Sequence, residues 1–411
     1  MKLTIKRISL KDIYRPDIKY LRFLAVLLFT GISYGLYRGI QDNYLAELVH
    51  ITNFERGVVE FFREIPGLLV VVIFAVLYRL SENRIFKIGL CFMTLGLICL
   101  LFAGTGKFIV VLFMVLYSLG EHIVLPLRST ISMHLAKKET GGAALGVAGA
   151  LDNVGRITGF ILVSILFLIF ARFGYKRNDL LPFKVIYGVS VVFMIATIIF
   201  VLPLEETQNK APRRRFYFAK KFTKFYMLEV FYGARKQVFL TFAPYVLILQ
   251  YGADASVIAM LMAISAAFGI IFNPLIGKLI DKVGYKFIMV TDTLILVVVC
   301  FFYGFAHRIF PPHIAFKVVY ANYILDAIIS LASMASSVYV RDIASSQEEV
   351  TATISTGISV NHVISIFIAL MGGWIWKVTG IEVLFSLSAV LGILNSIYAA
   401  TIKKPSLTEE P

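Results

Sequence analysis

The sequence predicts an all-α membrane protein with twelve transmembrane helices in two pseudo-symmetric six-helix bundles. Three observations carry this. The 411 residues are 59% hydrophobic and only 16% charged, with mean hydropathy +0.82; a soluble chain has about 45–50% apolar and about 25% charged residues. Apolar runs long enough to cross a hydrocarbon core of ~30 Å recur twelve times along the chain. One long polar connection, Glu205–Lys224, follows the sixth run.

Residues 1–20 form a basic tail with six Lys and Arg. The tail leads into a full-length span with no small-residue cleavage site, so no cleavable signal is expected. The first bundle, 21–204, is expected to hold helices at 21–45, 57–80, 85–103, 108–135, 142–170 and 181–204. The linker 205–224 is followed by helices at 225–249, 256–279, 285–306, 314–339, 350–376 and 381–402, then by a tail at 403–411. Pro126, Pro244 and Pro274 fall in helices 4, 7 and 8, where bends are expected. Helix 5 carries glycines at 142, 146, 149, 155 and 159, a spacing that permits close helix contact. Cys91, Cys99 and Cys300 all lie in apolar runs without metal or disulfide spacing.

Lys and Arg set the orientation. With the N-terminus inside, inner tails, loops and flanks hold 24 basic residues against 9 outside. Both termini and the linker are therefore expected in the cytoplasm. One outer loop dissents, with Arg172, Lys176 and Arg177. The net charge of +15 follows this topology, so no nucleic-acid partner is expected.

The halves echo one another at slowly drifting offsets. Tyr34-Gly35 matches Tyr232-Gly233, Arg79 and Lys87 match Lys278 and Lys286, Glu121 matches Asp326, and Asn153 falls over His362. The stretch "GKLIDKVGYK", Gly277 to Lys286, resembles the loop motif of the major facilitator superfamily, G-x-L-x-D-[RK]-x-G-[RK]-[RK], between helices 8 and 9. The first copy, between helices 2 and 3, has decayed to "AVLYRLSENRIFK". The resemblance spans the chain through helix count, central loop and termini. It implies that Gly277, Asp281, Lys282, Gly284 and Lys286 form a gating loop biasing outward- and inward-open states. It also implies that helices 1, 4, 7 and 10 line a cavity while 3, 6, 9 and 12 face lipid.

The charges follow that division. Helices 3 and 12 have no ionisable interior residue, helix 6 has Lys184 at its outer end, and helix 9 has Asp292 near its cytoplasmic end. Charges deep in spans are Arg38 and Asp42, Glu121, His122 and Arg128, Asp152 and Arg156, Arg235 and Lys236, Asp326, and His362. An ion in hydrocarbon costs at least about 2.5–3.5 kcal/mol, so these side chains are expected to face water or one another. Arg38 with Asp42, and Asp152 with Arg156, lie four apart and read equally as structural ion pairs or as binding groups. Arg128 lies on the face of Glu121, about 10 Å further along, or else snorkels inward. His122 reads equally as a packed, hydrogen-bonded residue or a proton carrier, and His362 is similar. Glu121, Asp326, Arg235 and Lys236 have no partner on their own helix. An interhelical salt bridge is the rival to a functional role for them.

These features point to a secondary active transporter of a small organic solute, coupled to protons through Glu121 or Asp326, with Arg235 and Lys236 holding cargo. The slight excess of fixed positive charge favours an organic anion or zwitterion. The alternative is a non-transporting membrane sensor or assembly scaffold of the same fold. A primary pump lacks its phosphate loop, because "GTGK" at Gly104–Lys107 has no first glycine. A membrane enzyme lacks a nucleophile motif or metal spacing. No cofactor or metal is expected, and the chain is expected to act as a monomer in the plasma membrane. Cysteines placed at Lys210 and Ser406 should react with a membrane-impermeant reagent only from the cytoplasmic side. Labelling from outside intact cells would reverse the orientation.

Overall fold

The computed structural model describes residues 9–77, 79–137, 139–204 and 217–402. The assignments made for residues 1–8, 205–216 and 403–411 lie outside the described residues. What is described is almost wholly helical. The long helices are α1 (Ile18–Leu48), α2 (Asn53–Val76), α3 (Glu82–Phe102), α4 (Lys107–Leu135), α5 (Gly141–Arg172) and α6 (Leu180–Val201). They continue as α7 (Thr223–Tyr251), α8 (Ala255–Val283), α9 (Tyr285–Ile309), α10 (Pro312–Ile343), α11 (Gln347–Thr379) and α12 (Ile381–Ala400). Ten are long and apolar enough to cross a membrane. The other two, α2 and α7, carry more charge: Glu55, Arg56, Glu60, Arg63 and Glu64 in α2, and Lys224, Glu229, Arg235 and Lys236 in α7. Large apolar side chains stand exposed on these surfaces, among them Val192 and Ile199 on α6, Leu294 and Val298 on α9, and Ile397 on α12. Such surfaces suit lipid rather than water.

Contacts group the chain into two compact units. The first takes the described residues of Met1–Ile40, Val72–Tyr175 and Asp179–Arg213. The second takes those of Gln41–Val71, Lys176–Asn178 and Arg214–Pro411. The group boundary thus falls within α1 and within α2.

In the first unit, α1 and α5 meet backbone to backbone. A Cβ on Gly35 would lie 2.3 Å from the Arg156 carbonyl oxygen, and one on Gly159 would lie 2.3 Å from that of Ile32. Gly31 and Gly155 interlock in the same way. Of the five helix-5 glycines, 155 and 159 make the close contact, while 142, 146 and 149 have nothing within 4 Å. The turn Leu10–Ile13 leads to the end of α4, where the Arg15 amide donates to the Leu135 carbonyl at 3.2 Å, and the Tyr14 hydroxyl donates to the Ala144 carbonyl of α5 at 3.1 Å. Burial holds the Tyr14 phenol above its usual range. At the other end, the Lys184 ammonium caps the α3 terminus by donating to the carbonyls of Leu100 and Ala103.

In the second unit, α2 crosses α11 at Gly57, where a Cβ would lie 2.2 Å from the Ala369 carbonyl oxygen. Arg177, from the loop that dissents in the charge bias, donates to Glu47 at 2.6 Å and to the Gly252 carbonyl at 2.9 Å. A structural task therefore accounts for one of its three positive charges. Pro126, Pro244 and Pro274 lie inside α4, α7 and α8, which are helical on both sides of them. Among the described residues of the long helices, regular α geometry is left at two places without a proline: α1 widens to a π turn at Tyr44–Leu48, and α10 tightens to 3-10 at Leu331–Ser333.

Gly57→Ala should lower stability by about 1–3 kcal/mol, the usual cost of overpacking. Gly149→Ala, with open space around it, should not destabilise. Paired thermal melts of the two purified variants check this.

Candidate functional site

In the first unit, Arg128 and Arg156 meet at Asp152. Arg128 approaches its Oδ1 at 2.7 Å, and Arg156 donates to its Oδ2 at 2.8 Å. The first contact is interhelical, α4 to α5; the second is the i,i+4 pair visible in the sequence. The Arg156 guanidinium also lies over the Tyr34 ring, 4.0 Å from its centroid, and within electrostatic reach of Glu121. Two cations and two carboxylates therefore balance. His122 bonds locally, its Nδ1 lying 2.8 Å from the Ser118 carbonyl oxygen and 3.1 Å from the Ser118 hydroxyl.

The second unit holds a chain of charges that the sequence reading missed. Arg56, with no exposed surface, donates through Nε to Asp42 at 3.1 Å and through Nη1 to Glu60 at 2.8 Å. Arg63 donates to Glu60 through Nε at 3.1 Å and to Glu64 at 2.9 Å. Glu64 reaches α11, where its Oε2 lies 2.9 Å from His362 Nδ1. Arg56, Glu60 and Glu64 are spaced by four and form one helical stripe. That spacing was the available signal. Arg56 precedes the run expected for helix 2, 57–80, and Glu60, Arg63 and Glu64 fall in its first turns. The Gly57 crossing brings α2 close to α11.

A second chain crosses from α7 to α11. Lys236 donates to Asn361 Oδ1 at 3.2 Å, and Asn361 Nδ2 donates to Glu229 at 3.4 Å. Ser336, just past the 3-10 break, donates to the other Glu229 oxygen at 3.1 Å. The charges of Lys236 and Glu229, seven residues apart on α7, are thereby tied together.

The third group is Arg235, Asp292 and Asp326. Arg235 is only 4% exposed. Its Nη1 donates to Asp292 at 3.0 Å, and its Nη2 stands 3.8 Å from Asp326. Arg235 and Asp326 were expected at the site, whereas Asp292 was assigned to the end of a lipid-facing helix. A lone acid carries no periodicity that reveals its direction; the packing of α9 against α12 and α10 brings it to Arg235. Arg235, Asp292, Glu229 and Ser336 line a cleft of about 450 Å³ empty volume.

The Asp281 loop is a tight turn. α8 ends at Val283, Gly284 takes φ +88°, and α9 starts at Tyr285. A positive φ of that size is glycine territory. Gly277 lies inside α8 with open space around it. Asp281 and Lys282 are exposed and Lys286 is half-buried; none of the three forms an ion pair among the described residues.

The sequence signature of the Major Facilitator Superfamily matches residues 23–232 and 225–411. The chain belongs to that superfamily. No curated protein sequence matches it. Among solved structures, the nucleoside transporter NupG is similar with TM-score 0.72 and 13% identity, covering 93% of this chain and 98% of that one. A peptide transporter POT in complex with sulfate gives 0.71 and 13%, covering 93% of each chain. A POT family transporter in complex with 5-aminolevulinic acid gives 0.70 and 11%, covering 92% and 94%. At such identity the likeness establishes the fold, that of membrane transporters.

Arg56→Met should lower stability by about 3–5 kcal/mol, because it leaves buried carboxylates without their counter-ion. Arg177→Gln, at a pair whose arginine is 44% exposed, should cost about 0–1 kcal/mol. Chemical unfolding of both variants in the same detergent measures the difference.

Proposed function

We propose that this chain is a proton-coupled secondary active transporter that moves a small organic solute by alternating access. Its setting is the plasma membrane, with both termini cytoplasmic. The observation that carries the reading is the set of buried ion clusters at Asp152, Arg56 and Arg235. Ionisable groups inside membrane helices are costly, and they mark the paths of cargo and coupling ions. The similar structures include a nucleoside transporter and peptide transporters, which agrees with a small-molecule cargo. Arg235, Lys236 and Asp326 are the cargo and proton groups of the second unit. Glu121, Asp152 and Arg156 are those of the first, with Arg38, Asp42, His122 and His362 in supporting positions. The Asp281 turn biases the conformational equilibrium.

The coupling group is Glu121 or Asp326, and paired assays separate them. A solute that stabilises the purified chain by mass action is first selected from a panel of small organic compounds. Uptake driven by a pH gradient and counterflow without one are then measured in the same proteoliposomes. The coupling variant, Glu121→Gln or Asp326→Asn, should lose gradient-driven uptake and keep counterflow. If both variants keep both activities, proton coupling at these residues is wrong. If no stabilising solute moves through the unmodified protein, the chain is a sensor or scaffold rather than a transporter.

A further inference from the structure

The cleft beside Arg235 is short of one positive charge. Arg235 faces Asp292 at 3.0 Å and Asp326 at 3.8 Å, one guanidinium against two carboxylates. Glu229 on the same wall does not change the sum, because Lys236 reaches it through Asn361. With these groups ionised, the cluster keeps a single negative charge in a low-dielectric setting, which is unfavourable unless a cation answers it.

Unfilled hydrogen-bonding positions describe that cation further. Asp292 Oδ1 and Asn395 Oδ1 are buried acceptors with no hydrogen-bond partner among the described residues. Arg235 Nη2 is a buried donor in the same condition, and all three residues line the cleft. Buried polar atoms are normally satisfied, so a ligand here has a donor for the acids and an acceptor for the arginine. A bare metal ion or a proton offers Arg235 nothing. An organic anion meets Arg235 but also faces Asp292 and Glu229. The cleft encloses about 450 Å³ of empty volume, open solvent included. Leu228, Phe231 and Met289 give it an apolar wall. The 3-10 segment of α10 borders it at Ala332 and Ser333, and interrupted membrane helices commonly mark binding sites.

We infer that this cleft binds an organic monocation: a primary ammonium directed at Asp292 and Asn395, with a neighbouring oxygen acceptor directed at Arg235. This names the class of cargo for the transport reading and rests on that reading for the ligand's role. It reverses the sign expected from the sequence, because Asp292 joins the cluster.

The test uses the full chain in detergent at neutral pH with four probes at equal ionic strength: glycinamide hydrochloride, glycine, sodium acetate and sodium chloride. Glycinamide should raise the melting temperature most. Asp292→Asn should weaken its apparent affinity roughly tenfold or more, as for a lost bond to a charged group. Asn395→Leu, which leaves the ion cluster intact, should weaken it by roughly threefold to tenfold. That second variant decides the matter if Asp292→Asn does not fold. The inference is overturned if glycine or acetate stabilises as well as glycinamide, if sodium chloride gives the whole shift, or if the folded variants bind glycinamide like the original. Counterflow of labelled glycinamide in proteoliposomes then separates the two readings. Binding without counterflow keeps the site and removes its role as a cargo site. Counterflow of a different solute, with no glycinamide binding, keeps transport and removes the inference.

Discussion

A guanidinium buried in a membrane helix has no water to hydrate it, and the charged groups of this protein are arranged around that constraint. Arg56 has no exposed surface, and it is held between Asp42 and Glu60. Arg235 is held between Asp292 and Asp326. Each arginine draws acids from other helices, since one partner on its own helix cannot surround a planar group with five donors. Once an acid has been recruited, the helix that carries it is fixed in rotation, and its remaining residues are distributed between lipid and interior accordingly.

Close backbone approach is the second requirement, and it serves the first. The α1–α5 crossing at Gly31, Gly35, Gly155 and Gly159 places Tyr34 over Arg156. The α2–α11 crossing at Gly57 accompanies the reach of Glu64 to His362. In hydrocarbon, small residues let packing and interhelical hydrogen bonds do what the hydrophobic effect does in water. A methyl group at these positions would collide with backbone atoms, which have little room to give way.

The Asp152 and Arg235 clusters differ in charge balance, and the difference bears on function. The Asp152 group is balanced by Arg128, Arg156 and Glu121, which suits a structural junction as well as a working site. The Arg235 group carries one acid more than it has bases and opens onto a cleft beside an interrupted helix. Stability alone does not call for an unbalanced cluster whose Arg235 and Asp292 line a cleft with unfilled hydrogen-bonding positions. A ligand-binding site does.

Much of this was legible in the sequence. Composition and apolar run length determined the all-helical membrane class, because a segment that crosses lipid must satisfy its own backbone hydrogen bonds. The Gly277–Lys286 motif and the repeat offsets pointed to the superfamily. The Asp152–Arg156 pair was readable because i,i+4 neighbours share a helix face. Tertiary structure alone decided which acid meets which arginine: Arg128 with Asp152, Arg56 with Asp42, and Arg235 with Asp292. Those pairings join residues on different helices, and spacing along one helix says nothing about the rotation of its neighbour. It also decided that α10 tightens at Leu331–Ser333 while α4, α7 and α8 continue through their prolines. A proline removes one donor that neighbouring groups can replace, whereas the tightening of α10 is a matter of packing that no single residue announces.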